Sequence, residues 1–248
     1  MKMKILVIGE SCIDNFIYGK SERLSPEAPV PVFIPCEQVT NYGMAHNVYN
    51  NLLKMTHSNH VEVFISNQFA TKTRYVEKKS NHCFLRVDIG DDKYERIILK
   101  NCLKQIKLAN CIIISDYNKG FLFASDICKI RELNKKAVIF LDTKKLLTPE
   151  IYNAVDYIKL NESEHIKNEA FLNGNKVIVT LGERGAMHKG KIFPIKNSLK
   201  TIDVSGAGDT FIAGLAYKFM QNFNINLAIK YANECAIKVV SKRGVTTI

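Results

Sequence analysis

From residue 111 onward, short β-type apolar runs alternate with stretches of helical spacing. The runs cover 111–115, 137–141, 157–160 and 176–181, and the helical stretches fall near 123–134, 149–153 and 162–170. Such alternation predicts an α/β fold with a mostly parallel, doubly wound sheet flanked by helices. Thr148-Pro149 adds a helix cap followed by proline in the first turn. A short hairpin, 186–188 with 191–194 around Gly190, comes next. Helices over about 207–221 and 226–241 and a tail, 244–248, close the chain.

The pattern before residue 111 is different. Residues 4–9 read as a buried strand ending in Gly9, 10–14 as a turn, and 15–18 as extended chain. Pro26, Pro29 and Pro31 exclude helix and central strand around them, so 30–35 is predicted as an edge strand. A helix is expected from Gly43 or Met44 to about Lys54, and a strand over 61–65. Segments 71–77 and 83–88 alternate in side-chain type across the polar Lys78-Lys79-Ser80-Asn81, which signals a hairpin. The extended pieces 15–40 and 71–88 are best joined as a small β-sheet lid. It would cover the carboxyl ends of the strands, where open α/β sheets bind ligands.

Composition narrows the class. A chain of 248 residues with 46% hydrophobic content fits a single domain spanning 1–248. No apolar run is long enough to span a bilayer and no signal-peptide pattern opens the chain, so a cytoplasmic protein without membrane partners is expected. The seven cysteines form no C-x-x-C pair, which argues for buried thiols in a reducing compartment. The net charge of +11 comes from scattered, mostly lysine residues. That pattern favours anionic small molecules and gives no footprint for nucleic acid.

The candidate chemistry centres on Asp203-Val204-Ser205-Gly206-Ala207-Gly208-Asp209-Thr210. It precedes an apolar run of helical spacing, Phe211, Ile212, Leu215, Ala216, Phe219 and Met220. Glycines at a helix N-terminus bare backbone N–H groups toward an anion. An acid in that place repels phosphate, but it suits a base working beside a phosphate under attack. Polar clusters follow four of the strands: Ser115 to Gly120, Asp142-Thr143-Lys144, Asn161 to Glu164, and Thr180 to Gly185. Each alone reads as caps and turns. In register with the glycine turn, they converge on one site.

Three of these motifs carry a family resemblance. The octet at 203–210, Asn161 and Glu164 as N-x-x-E, and Thr180, Gly182 and Gly185 as T-x-G-x-x-G together resemble ribokinase-like sugar kinases, the phosphofructokinase-B family. Within it, Arg23-Leu24-Ser25-Pro26-Glu27-Ala28-Pro29-Val30-Pro31-Val32 resembles the lid segment of D-glycero-β-D-manno-heptose 7-phosphate kinases. Asp116 to Gly120, Thr73 to Val76, Leu85 to Asp88 and Arg243 to Thr247 are similar to that branch too. Members are often the kinase half of a bifunctional ADP-heptose synthesis protein.

The resemblance implies ATP and Mg²⁺, with a sugar phosphate as acceptor. It implies Asp209 as base, and Gly206, Ala207 and Gly208 as an anion hole. Asn161 and Glu164 would lie near Mg²⁺, Glu164 through water. Thr180, Gly182, Gly185 and Asn233 would line the nucleotide. Asp14, Gly43 and Asn47 fall on the sugar side. Lys119, Arg74 and Arg86 are candidates for the sugar's phosphate, with pairing of either arginine to Asp88 an equal alternative. A kinase for ribose, fructose or another sugar, and a degenerate protein that only binds sugar or nucleotide, stay open.

The chain also departs from the pattern. Tyr42-Gly43 stands where a glycine pair is usual, Val48-Tyr49-Asn50-Asn51 replaces small residues, and Gly9-Glu10 replaces Gly-Asp. A helix and strand usual after 61–65 are missing, and a kinase without a nucleotidyltransferase half is expected. Dimerisation through the lid is the expected compensation for this trimming.

Overall fold

The computed structural model describes residues 3–92, 94–171, 174–195 and 201–248. In chain order the elements are β1 Ile5–Gly9, β2 Ser11–Leu24, β3 Pro31–Met44, α1 Ala45–Met55, β4 Val61–Ile65, β5 Ala70–Glu77 and β6 Cys83–Ile89. They continue with α2 Leu103–Leu108, β7 Cys111–Asp116, α3 Ala124–Leu133, β8 Val138–Thr143, α4 Pro149–Ala154, β9 Tyr157–Asn161 and α5 Glu162–Lys167. The last are β10 Val177–Thr180, β11 Ala186–His188, β12 Lys191–Phe193, α6 Ala207–Asn222 and α7 Ile225–Val240.

The main sheet has the order β12-β11-β10-β9-β8-β7-β1-β4. It is parallel from β10 to β4, and the β11–β12 hairpin adds antiparallel strands at one edge. β1, and β7 up to its polar end at Ser115 and Asp116, are apolar, and both strands are buried along both faces, as a covered parallel sheet requires. One face packs on α1, α6 and α7 through Val48, Leu52, Phe211, Leu215 and Ile229. The other packs on α2, α3 and α4 through Ile106, Ile127, Ile130 and Ile151. The carboxyl ends of the strands therefore form one polar edge. Register aligns Gly9 with Ser115, Ser115 with Asp142, Asp142 with Lys159, and Asn161 with Thr180.

The second sheet, β3-β2-β5-β6, is the lid. Here the structure corrects the sequence reading. Residues 10–14 do not turn: β2 starts at Ser11 and runs for 14 residues, because its backbone is satisfied by β3 on one side and β5 on the other. The edge strand at 30–35 is the first part of β3, also 14 residues, which continues through the exposed Glu37–Thr40 region to Met44. Its prolines sit on a sheet edge, where no partner needs their missing N–H. Helix α1 starts at Ala45, so Gly43 and Met44 end a strand. Phe16, Tyr18 and Val76 of the lid bury Val245 of the C-terminal tail.

The chain passes from β4 to β5 through residues 66–69 alone, which leaves β4 as the edge of the main sheet. This is the trimming expected from the sequence. Entry into α1 is strained. Buried Met44 has φ 60 and ψ −135, a region that suits glycine. A side chain there costs about 1–3 kcal/mol. The glycine-type position is thus Met44, one residue beyond the Tyr42-Gly43 pair. The segment 89–110, given no element from sequence, contains a 3-10 turn and the short helix α2.

Candidate active site

Gly206 is the N-cap of α6 in the left-handed region, φ 78. A Cβ on it would stand 2.7 Å from the Asn47 amide nitrogen, so both its conformation and its crowding call for glycine. The N–H of Ala207 donates to the Val204 carbonyl at 3.2 Å. The N–H groups of Gly206 and Gly208 carry no such bond among the described residues. This bare amide pair opens the helix at its positive end.

Asp209, in the first turn of α6, is only 4% exposed. Its Oδ2 accepts from Asn47 Nδ2 at 3.1 Å and its Oδ1 from Tyr117 Oη at 2.8 Å. Burial pushes its pKa up to about 6, against the opposing pull of the two hydrogen bonds. Both donors are held in turn. Asn51 donates to the side-chain and backbone oxygens of Asn47 at 3.1 and 2.9 Å. The fully buried Glu10 accepts the backbone N–H of Tyr117 at 2.8 Å and of Lys119 at 3.1 Å, which pins the loop after β7. Burial first, and then the Asp209 charge, hold the Tyr117 phenol well above its usual pKa, so it remains a donor.

On the lid side, β2 carries Asp14, whose carboxylate pairs with Arg74 of β5. A Cβ on Gly43 would fall 2.1 Å from Asp14 Oδ2, so the glycine makes room for the acid. The Cys12 thiol donates to Asp14 Oδ2 at 3.4 Å and is raised in pKa by burial and then by the Asp14 charge. Lys119 and buried Lys72 both meet Asp91, at 2.9 and 3.2 Å. Arg86 binds Asp88 through two nitrogens within the lid, the alternative weighed for it.

On the other side of the glycine turn lies a cavity of about 520 Å³. Thr180, Gly182, Gly185 and Asn233 line it, and Ala207 and Gly208 close one end. Its wall is apolar, with Phe211, Ile237 and Val240. Gly185, at φ 91, lets the chain pass the Phe193 carbonyl, which a Cβ would approach to 2.2 Å. Asn233 donates to that same carbonyl at 2.8 Å.

Asn161 and Glu164 form a capping box at the start of α5. Asn161 Oδ1 accepts Glu164 N, and Glu164 Oε2 accepts Asn161 N, both at 2.8 Å. Glu164 Oε1 meets Asn161 Nδ2 and Lys144. With both oxygens engaged, Glu164 has little left for direct metal ligation, and no cluster of three metal-binding side chains occurs among the described residues. That donor set fits Mg²⁺ held chiefly by phosphates and water.

Two lysines went unread in the sequence. Lys145 pairs with Asp116, and Lys159 with Asp142. A lysine inside the apolar strand 157–160, on the side facing α6, was the available signal for Lys159.

The fold is of the ribokinase type. It superposes on Arabidopsis thaliana ribokinase complexed with ribose and ATP at TM-score 0.71, with 15% identity and 98% and 94% of the two chains covered. Phosphofructokinase-2 from Escherichia coli, in complex with potassium, gives 0.70 at 12% identity, covering 99% and 94%. Residues 123–248 match the family model described as pfkB family carbohydrate kinase. The Bifunctional protein HldE of Helicobacter pylori (strain J99 / ATCC 700824) is 31% identical over 97% of this chain and 63% of its own length. That of Aliarcobacter butzleri (strain RM4018) is 30% identical over 99% of this chain and 62% of its own. The chain belongs to the pfkB family of carbohydrate kinases. It spans less than two thirds of the length of these relatives. The alignment with the Helicobacter protein runs over 297 positions, so that relative carries residues this shorter chain lacks within the matched span.

Asn161→Ala should destabilise the fold by about 1 kcal/mol, the usual loss for a capping side chain. Urea denaturation reads this directly. An unchanged midpoint would show that the capping box contributes nothing.

Proposed function

We propose that this protein transfers the γ-phosphoryl group of ATP to the anomeric hydroxyl of D-glycero-β-D-manno-heptose 7-phosphate. The observation that carries the reading is the Asp209 carboxylate. It is buried at a helix N-terminus between an apolar cavity and the lid, with its pKa raised to about 6. The apolar cavity takes the adenine and ribose, with Thr180, Gly182, Gly185 and Asn233 around them. The bare N–H groups of Gly206 and Gly208, with Ala207 between, receive the phosphates. Asp209 takes the acceptor proton as the sugar oxygen bonds to the γ-phosphorus. The bond from that phosphorus to the bridging oxygen breaks, and ADP leaves. The work is positioning and charge stabilisation. Mg²⁺ would neutralise phosphate charge, with Glu164 and Asn161 reaching it through water.

Asp14, freed by Gly43, and Asn47 are suited to sugar hydroxyls. Among the basic candidates, Lys119 is favoured for the 7-phosphate. It shares one carboxylate, Asp91, with Lys72, so a positive charge is left over there. Arg74 and Arg86 already have carboxylate partners. The resemblance of residues 23–32 to the lid segment of heptose 7-phosphate kinases supports heptose chemistry. A specific observation favours a second reading, a kinase for another sugar such as ribose or fructose. Tyr42 stacks on His46 at 4.2 Å and lies 6.0 Å from Phe69, beside the strained start of α1, which reshapes the sugar side.

Leu85, Val87 and Ile89 are exposed and share one face of the lid with Tyr75 and Ile17 by register. That face supports a homodimer formed through the lid. Sedimentation should show a dimer that Val87→Asp converts to monomer; a monomeric wild type would rule it out.

ADP release should be fastest with heptose 7-phosphate in a panel that includes ribose and fructose 6-phosphate. A preference for another sugar would select the second reading. Asp209→Asn should lower turnover by about 10³-fold or more with ATP binding retained, the range for loss of a general base. The base acts ionised, so kcat/KM should fall as pH drops through about 6. A flat profile down to pH about 4.5 would contradict the base role.

A further inference from the structure

Lys159 has no part in the scheme above, yet its surroundings are unusual. It lies in β9, only 5% exposed, between the apolar Ile158 and Leu160. An ammonium carries three N–H donors. One meets Asp142 Oδ2 at 2.9 Å, and Lys159 has no other hydrogen-bond acceptor among the described residues. Leaving buried charged donors unused is costly, so an acceptor is expected to arrive from outside the chain.

Gly208 shows where that acceptor would sit. A Cβ on Gly208 would stand 2.9 Å from Lys159 Nζ and 3.7 Å from its Cε. The ammonium therefore lies against the bare α-carbon in the middle of the glycine turn. Beside it are the free N–H of Gly208 and the Asp209 carboxylate, whose pKa the lysine helps to lower. Asp142, opposite it by strand register, is its carboxylate partner. Asp142 uses one donor and leaves the other two for the space in front of the turn.

We propose that Lys159 is a catalytic residue whose two free N–H donors hold the equatorial oxygens of the phosphoryl group in transit. The proposal rests on the kinase reading of the site. Lys159 neither gives nor takes a proton: the acceptor proton goes to Asp209 and the bridging-oxygen bond breaks toward ADP. The ammonium offsets the negative charge that the phosphoryl oxygens bring up against Asp209 and Asp142. A fixed charge aimed at a transferring group in a site of low polarity is worth far more than in water.

The test is Lys159→Met in the full chain, read by turnover and by calorimetry with Mg²⁺ and sugar present. Turnover should fall about 100-fold or more, while ADP affinity stays within about threefold of wild type. Affinity for ADP with aluminium fluoride, a mimic of the phosphoryl group in transit, should fall with turnover. Lys159→Met with near-normal turnover and undiminished affinity for the mimic overturns the proposal. If the single variant fails to bind ADP because Asp142 is left unpaired, Asp142→Asn/Lys159→Met removes both charges and restores a neutral pair. It should show the same selective loss, and near-normal turnover in it also overturns the proposal. If wild type transfers phosphoryl to no sugar, yet the variant still loses the aluminium fluoride complex, the sugar reading falls and the role of Lys159 stands.

Discussion

Ionising a carboxylate that water barely reaches is costly, and the polar edge of this protein is arranged around that cost at Asp209. Burial raises its pKa, and two hydrogen bonds and a nearby ammonium pull it back to about 6. Each of these comes from a different part of the fold. Asn47 comes from α1 and is braced by Asn51. Tyr117 comes from the loop after β7, which Glu10 at the end of β1 fixes through two backbone amides. Lys159 comes from β9 and is held by Asp142 on β8. Removing any one support changes the proton affinity of the carboxylate as well as its position. Through that coupling the buried Glu10, which holds the loop carrying Tyr117, is tied to the Asp209 carboxylate.

The parallel sheet makes this convergence possible. Its strands end together, so side chains far apart in sequence arrive along one edge in register. Helix α6 adds its N-terminus above that edge, and the lid supplies Asp14 and Arg74 from the far side. Trimming beyond β4 leaves this core untouched, since β4 lies at the opposite margin of the sheet from the cavity lined by Thr180, Gly185 and Asn233. Its mark falls at the start of α1, where Tyr42, His46 and Phe69 cluster and where Met44 holds a backbone suited to glycine.

Much of this was legible in the sequence. The strand–helix alternation after residue 111 is strong because each strand is buried on both faces and each helix has one apolar side. The glycine turn announced itself through residues that only a close approach requires. The Thr148 cap and the Lys189-Gly190 turn were similarly local. The lid was harder. Strand β3 is exposed along most of its length and mixes apolar and polar residues without alternation, and β2 begins in residues that look like a turn. Helix α2 spans 6 residues, too few to show a period. Lys159 was hidden for another reason: a lone lysine in a strand reads as a surface residue until its neighbours across the sheet and the glycine above it are known.

The central claim concerns the proton affinity of one carboxyl group. It can be measured by carbon-13 NMR titration of aspartate-labelled protein, with the Asp209 signal assigned through Asp209→Asn. The account predicts a midpoint of about 6. A midpoint at or below the ordinary aspartate value of about 3.9 would contradict it.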